Sequence, residues 1–212
     1  MGKSNNGMKI HWNGQVGRIV GYTSRGHDYW RSLASNYNNP RTDAQMLHRA
    51  KFAFTSAFIH DIGPAYKSGY AHYNTSKCQR ANFFHQLYHD AVSGNLPSGF
   101  TIDPAKVLVS RGNLTPAYNI LASIAAASHS VSFGWSDNSG VAEAKADDRL
   151  LYCIFNISRR QSIFSDNAAT RADESAEASY PSAWAGDTLH IYAGWLNLSS
   201  ASDSSFLGTF TA

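Results

Sequence analysis

The residue types best suited to chemistry near the start of this sequence are arginines that alternate with aromatic residues. Guanidinium groups bind carboxylate and phosphate oxygens, and aromatic rings stack on bases or fill pockets of protein partners. The pattern therefore predicts an interface, with either another protein or a nucleic acid as the partner. The interface residues that it predicts are Arg18, Arg25, Tyr29, Trp30, Arg31 and Arg41.

A pair of histidines, His85 and His89, is the second group that could do chemistry. Their spacing of four residues places both rings on one face of a helix. A metal site needs further ligands that converge, and the sequence contains neither a His-Glu-x-x-His motif nor paired Cys-x-x-Cys motifs. We therefore predict a polar helix flank and no metal site.

Adjacent carboxylates form the third group, at Asp147 and Asp148, just before a predicted strand. Neighbouring residues on an extended chain point to opposite faces, so these two side chains do not converge as an acid and a base. The sequence also lacks a serine nucleophile elbow, a Walker phosphate loop and a dinucleotide fingerprint. We predict a protein that is not an enzyme and that uses no cofactor.

The elements that position the arginines and aromatics begin with a glycine-punctuated stretch, residues 12–33. Its strand-forming residues predict a short, twisted β-ribbon with turns at Asn13-Gly14 and at residues 24–27. A ribbon of this length is marginal by itself. We therefore expect an arm that reaches a neighbouring molecule.

Three helical segments are predicted after the ribbon. Thr42 and Gln45 have the spacing of a capping box, and apolar residues recur with helical period over residues 47–58. Shorter helices are predicted over residues 64–73 and 77–92.

Beyond residue 102 the apolar period changes from that of a helix to that of a strand. About seven short strands separated by turn signals are typical of a β-sandwich, and the nearly all-apolar run at 149–157 predicts a central strand. The alanine-rich residues 117–128 are predicted to form a short helix or a linker. The predicted strands are residues 106–110, 131–135, 149–157, 162–164, 174–180, 188–196 and 205–210.

The predicted fold class is α+β. A basic region of β-ribbon and helices covers residues 1–101, and an immunoglobulin- or fibronectin-like β-sandwich covers residues 102–212. Trp135 and Trp184 are predicted in the core of the sandwich. Tyr192 is predicted to bond its hydroxyl to a nearby corner of the sandwich.

Charge is distributed unevenly along the chain. Residues 1–111 hold 13 Lys and Arg and five acidic residues, a net charge of +8, whereas residues 112–212 hold five and ten, a net charge of −5. Charged residues make up only 16% of the chain, against about 25% in a typical globular domain. The asymmetry suits either a basic face for nucleic acid or another anionic partner, or a head-to-tail contact between copies, which closes into a ring or extends into a filament.

The sequence carries no signal for secretion, for a membrane span or for disulfide bonds. No apolar region of a signal peptide is found at the N-terminus, and no apolar run reaches the length of a membrane span. Cys78 and Cys153 have neither metal nor redox spacing, so no disulfide framework is expected.

Several motifs in order resemble an uncharacterised domain-of-unknown-function family that is common in Bacteroidota and their phages. The resemblance covers nearly the whole chain and implies neither an activity nor catalytic residues. It implies a phage or mobile-element setting. The motifs are residues 14–21 (GQVGRIVG), 39–45 (NPRTDAQ), 107–112 (VLVSRG), 135–140 (WSDNSG), 169–173 (ATRAD) and 184–187 (WAGD).

The expected function is that of a non-enzymatic structural protein of a phage particle: a ring, connector, tail or capsid-associated component. Its expected partners are further copies of itself and other virion proteins, without a membrane, in the virion or the host cytoplasm. One alternative is a nucleic-acid-binding module that uses the basic half. Another is a carbohydrate- or surface-binding sandwich with Trp184 or Trp195 as an exposed stacking platform.

Overall fold

The computed structural model describes residues 2–3, 13–24, 26–34, 39–74 and 76–212. Contacts divide the chain into two units, Met1–Thr42 and Asp43–Ala212. We call the first unit the arm and the second the body. The chain is mixed α+β, with most of its regular structure in antiparallel strands.

The arm is one antiparallel sheet of four short strands in the order β1-β4-β3-β2. The ribbon prediction is thereby confirmed, but its first turn lies at Gly17-Arg18 rather than at Asn13-Gly14. Gly17 has φ of 57°, a left-handed conformation that glycine adopts without strain. The strands are β1 (Gly2–Lys3), β2 (Gly14–Val16), β3 (Ile19–Ser24) and β4 (His27–Ser32).

The body begins with helices. The first starts directly after Thr42, where the capping-box spacing predicted it, and its fully buried residues are Thr55 and Ile59. The third helix ends in one turn of π-helix, Leu87–Ala91, and a hairpin of β5 and β6 follows. The elements are α1 (Asp43–Asp61), α2 (Ala65–Gly69), α3 (Gln79–Gln86), β5 (Val92–Asn95) and β6 (Gly99–Ile102).

Seven further strands form two antiparallel sheets that pack around a shared core. One sheet has the order β11-β8-β7 and the other has the order β10-β9-β12-β13. The strands are β7 (Tyr118–Ala125), β8 (Ser130–Ser136), β9 (Arg149–Asn156), β10 (Gln161–Ser165), β11 (Ser175–Ser179), β12 (Thr188–Leu196) and β13 (Ser205–Thr211).

Strand β9 is central and buried on both faces, as its apolar run predicted. Leu151, Cys153 and Phe155 face a core that they share with the helices, whereas alternate residues face the other sheet. The body therefore has three layers: helices, a four-stranded sheet and a three-stranded sheet. The predicted boundary after residue 101 falls inside this unit, because helices and strands share one core.

The strand predicted over residues 106–110 is wrong, because side chains from elsewhere satisfy its backbone. The Leu108 N–H donates to the Gln86 side chain at 3.3 Å, and the Val109 N–H donates to the Ser204 hydroxyl at 2.8 Å. These bonds replace the ladder that a strand would need.

The short helix or linker predicted at the alanine-rich residues 117–128 is also wrong, since most of this stretch is strand β7. Ile120, Ala122 and Ile124 alternate inward and pack against the sandwich core. Burial of these alternate side chains outweighs the helix preference of alanine, which amounts to only about 0.7 kcal/mol per residue.

The tryptophans of the sandwich lie in its core. Trp135 and Trp184 are buried, as predicted. Trp195 is 0% exposed and Trp184 is 3% exposed, so neither ring can serve as the surface platform considered for a carbohydrate. The predicted corner bond of Tyr192 is wrong, because its buried hydroxyl has no hydrogen-bond partner within the described part of the chain.

Candidate functional site

The arm sheet has no interior. Of its described residues, 13–24, 26–34 and 39–42, only Gly21 is buried. Val16 is 63% exposed and Ile19 is 52% exposed. A small sheet needs a covered apolar face to be stable, and uncovered apolar surface marks sites of interaction.

One face of the arm sheet is basic and aromatic. Tyr22 and Tyr29 are cross-strand partners whose rings stack with centroids 5.4 Å apart. Val20 and Arg31 are the next pair on this face, two residues along each strand. We call these four residues the basic face.

The opposite face of the arm sheet is apolar around Val16, Ile19 and Trp30, and polar at its other end, where Thr23 pairs with Asp28. Val16 pairs with Ile19, and Trp30 pairs with Gly21, which in turn pairs with Gly14. The two glycines carry no side chain, so Trp30 is the only large side chain among these three cross-strand neighbours. We call this side, with Val16, Ile19 and Trp30, the apolar face.

The structure separates the residues predicted as one interface. Tyr29 and Arg31 lie together on the basic face, whereas Trp30 points to the apolar face, because successive strand residues alternate. Arg18 is exposed in the turn between β2 and β3, and Arg41 is exposed beyond the sheet with φ of 49°. Arg25 lies outside the described residues.

The charge of the arm is strongly positive. Residues 1–42 contain six Lys or Arg and a single acidic residue, Asp28, which gives a net charge of +5. Asp28 accepts a hydrogen bond from the Thr23 hydroxyl at 2.7 Å. The arm therefore presents a sheet that is cationic, aromatic and uncovered.

An acidic surface lies on the body, on two loops that hydrogen bonds hold together and on the strand that follows the second loop. The backbone N–H of Asp137 donates to the carboxylate of Glu174 at 3.2 Å, and the N–H of Ala172 donates to the carbonyl of Ala146 at 3.2 Å. Lys145 is the exposed cation of these loops. The acidic surface comprises five exposed loop residues, Asp137, Glu143, Asp147, Asp173 and Glu174, and the exposed Glu177 of strand β11.

Sequence reasoning did not identify the acidic surface as a unit. Its two halves, residues 137–147 and 173–177, are distant in the chain, and only the fold brings them together. The negative charge of residues 112–212 was the available signal, but charge totals do not show where acidic side chains meet.

The groups considered for catalysis or metal binding do not form a site in the structure. The rings of His85 and His89 are 4.5 Å apart, as the helix spacing predicted, but both residues are exposed. Within the described residues, no three His, Cys, Asp or Glu side chains form a group that could hold a metal. Burial raises the pKa of the Cys153 thiol to about 12, so it stays protonated at neutral pH.

The motifs behind the family resemblance supply contacts that hold the body together. Arg171 of the ATRAD motif forms a buried ion pair with Asp148, and its guanidinium donates to Asn138 of the WSDNSG motif. Arg111 of the VLVSRG motif lies over the ring of Tyr73 at 5.1 Å. Arg171, Asn138 and Arg111 of these three motifs therefore contribute to the fold of the body.

The WAGD motif gives a testable pH dependence. Asp187 accepts from Asn156 at 2.9 Å and from Arg159 at 2.6 Å, and these bonds hold its pKa below the usual 3.8. Because the folded pKa is lower than the unfolded one, this stabilisation is complete above about pH 4 and is lost as pH falls through the folded pKa. We expect Asp187→Asn to reduce the difference in unfolding free energy between about pH 7 and about pH 3 in urea titrations.

Asp147→Asn is the control for this measurement, since Asp147 is exposed and forms no hydrogen bond among the described residues. An unchanged pH difference in Asp187→Asn would show that the Asp187 bonds do not contribute to stability at neutral pH.

No helix in the described part of the chain is long and apolar enough to cross a membrane.

Comparison with known proteins places the sequence among uncharacterised relatives. Residues 10–208 match a family model described as "Family of unknown function (DUF6266)". No curated protein matches the chain. The expected membership of an uncharacterised family is thereby confirmed, whereas the range of host organisms and the phage setting stay predictions.

Proposed function

Because the chain belongs to the DUF6266 family, whose function is unknown, we propose a role from its own surfaces. The protein is a non-enzymatic assembly protein, and its arm binds the acidic surface of another copy. The uncovered arm sheet is the observation that carries this proposal.

The exposure of the arm supports a partner that covers it. Val16 and Ile19 on the apolar face are more than half exposed, and Leu33, just after β4, is 43% exposed. Aromatic and arginine side chains like those of the basic face are also the residues that contribute most to protein interfaces. A second molecule against the sheet would remove apolar surface from water and supply the missing core.

Charge complementarity supports a second copy as that partner. The arm carries a net charge of +5, and the six carboxylates of the acidic surface lie on the other unit of the chain. Opposite patches on one molecule give a head-to-tail contact, which repeats until it closes into a ring or continues as a filament. Such charges also direct the encounter and fix the register of the contact.

We place this assembly in a phage particle, as a ring, connector, tail or capsid-associated component. The support is the sequence resemblance described above, and the partners are further copies of this chain and other virion proteins. Mass spectrometry of purified particles from a strain that carries the gene tests this placement. Absence of the protein from particles that contain all other structural proteins would contradict it.

The strand order supports an immunoglobulin- or fibronectin-like assignment of the sandwich. Strands β7, β8 and β11 form one sheet of the sandwich, and strands β9, β10, β12 and β13 form the other. Greek-key sandwiches of this class divide seven strands between two sheets in a related way. The architecture by itself carries no function.

Size-exclusion chromatography with light scattering tests the assembly proposal. We expect species larger than the 23.2 kDa monomer at about 0.05 M salt, and smaller species at about 0.5 M salt, where charge attraction is screened. A monomer at both salt concentrations, at high protein concentration, would contradict the proposal.

The basic face also favours a second candidate, binding to single-stranded nucleic acid. The stacked pair of Tyr22 and Tyr29 beside Arg31 combines a platform for bases with a phosphate-binding cation. This function predicts retardation of a single-stranded oligonucleotide that weakens steeply with salt. No retardation at about 0.05 M salt would exclude it.

A further inference from the structure

A cavity of about 420 Å³ lies between α1 and the four-stranded sheet, within the body. Phe54 and Phe58, one helical turn apart on α1, form one wall, and Phe155, His190 and Tyr192 of β9 and β12 form the floor. The volume lies in the range of about 300–1,000 Å³ that is usual for small-molecule pockets.

The floor of the cavity includes Tyr192, whose hydroxyl is closed off from the cavity. Tyr192 is 1% exposed, and its hydroxyl has no hydrogen-bond partner among the described residues. The hydroxyl oxygen has less than 1 Å² of accessible surface, so Tyr192 lines the cavity with its apolar ring and not with its hydroxyl. Burial also lowers the pKa of His190, which keeps the imidazole neutral at pH 7.

The guanidinium group of Arg160 lies at the mouth of the cavity. The Nε atom of Arg160 donates to a carboxylate oxygen of Asp61 at 2.7 Å, and the Nη2 atom lies 2.6 Å from the same oxygen. The Nη1 atom of Arg160 forms no hydrogen bond with the residues that the structure describes, and the side chain is 62% exposed. Arg160 therefore retains N–H donors for a ligand, while its charge neutralises Asp61.

The walls show which kind of ligand fits. Phe58 and Phe155 meet edge to face with centroids 5.4 Å apart, and Ile102 and Ile157 complete an otherwise apolar lining. A planar ring gains stacking and edge contacts among such side chains. The free donors of Arg160 suit an anionic substituent on that ring.

We propose that this cavity binds a small aromatic anion, with its ring between α1 and the sheet and its anionic group at Arg160. This site lies apart from the acidic surface residues and does not depend on the arm, so the inference goes beyond the proposed assembly function.

The fluorescent anion 1-anilinonaphthalene-8-sulfonate is the probe for this site. We expect saturable binding of one probe per chain, measured by fluorescence titration of the full-length protein. Ile157→Trp fills the mouth of the cavity and is expected to weaken binding at least about tenfold, whereas Leu198→Trp, at a 91% exposed position elsewhere, leaves binding unchanged. Equal binding by Ile157→Trp and the wild type, or no binding by the wild type, would overturn the proposal.

The uncovered arm could bind the same probe, so a second variant separates the two surfaces. Val16→Ser/Ile19→Ser removes exposed apolar side chains of the arm and is expected to retain the cavity-bound probe. Loss of all saturable binding in this variant would overturn the proposal. Thermal unfolding monitored by circular dichroism verifies that each variant is folded.

The anionic preference has its own test with a neutral analogue, N-phenyl-1-naphthylamine. The double variant Asp61→Asn/Arg160→Gln removes the ion pair at nearly constant shape. We expect it to weaken the sulfonate probe about tenfold and to leave the neutral probe unchanged, because only the sulfonate uses the guanidinium. An equal change for both probes, or none for either, would refute the role of Arg160.

Discussion

Replacement of Arg171 with Met is expected to lower the free energy of unfolding by about 3–5 kcal/mol, because it leaves a buried carboxylate without its partner. Arg171 and Asp148 are both fully buried, and the guanidinium Nη2 lies 3.0 Å from the carboxylate. The same group donates to the carbonyl of Thr115 at 2.9 Å and lies 4.5 Å from the ring centre of Trp195. The substitution thus removes an ion pair, several hydrogen bonds and a cation–π contact together.

Urea titration monitored by tryptophan fluorescence measures this loss. The double variant Arg171→Met/Asp148→Asn is expected to recover part of it, since no unpaired charge then stays buried. Arg159→Met is the matched control, because it breaks the partly exposed ion pair with Asp187 and should have a much smaller effect. A double variant as unstable as Arg171→Met itself would contradict the buried-charge explanation.

Charge reversal on the arm, Arg18→Glu/Arg31→Glu, is expected to raise the dissociation constant of the assembly at least about a hundredfold. The two substitutions place carboxylates opposite the acidic surface of the next copy, so attraction becomes repulsion. We expect light scattering to give the monomer mass at a concentration at which the wild type is assembled.

Lys77→Glu/Arg80→Glu is the control for charge reversal. Both residues are exposed on the body, and the net charge changes by the same amount as in the arm variant. This control is expected to assemble like the wild type. If it dissociates equally, overall charge rather than the arm governs assembly.

The strands of the sandwich could be predicted from sequence where burial leaves a clear pattern. The continuous apolar run of β9 predicted a strand covered on both faces, and the structure confirms it. The strand predicted at residues 106–110 and the helix or linker predicted where β7 lies were wrong, because local burial leaves no clear pattern in these segments. Their conformation depends on distant partners, such as Gln86, Ser204 and the sandwich core, which no local pattern reveals.

The candidate sites were predictable only in part. Composition indicated a basic, aromatic arm. Only the strand register shows that Trp30 lies on the other face of the sheet from Tyr29 and Arg31. The cavity was missed because Phe54 and Phe58 have the helical spacing of core residues. In the structure they are only partly buried, whereas Thr55 and Ile59 form the fully buried side of α1.

The most direct test of the head-to-tail contact is the molar mass, by light scattering, of two complementary variants and of their equimolar mixture. One is Arg18→Glu/Arg31→Glu, and the other is Glu143→Lys/Glu177→Lys on the acidic surface. The proposed contact predicts that each variant alone is a monomer and that the mixture assembles, since the unmodified arm of one then meets the unmodified acidic surface of the other. Variants that assemble separately, or a mixture that stays monomeric when the wild type assembles, would contradict it.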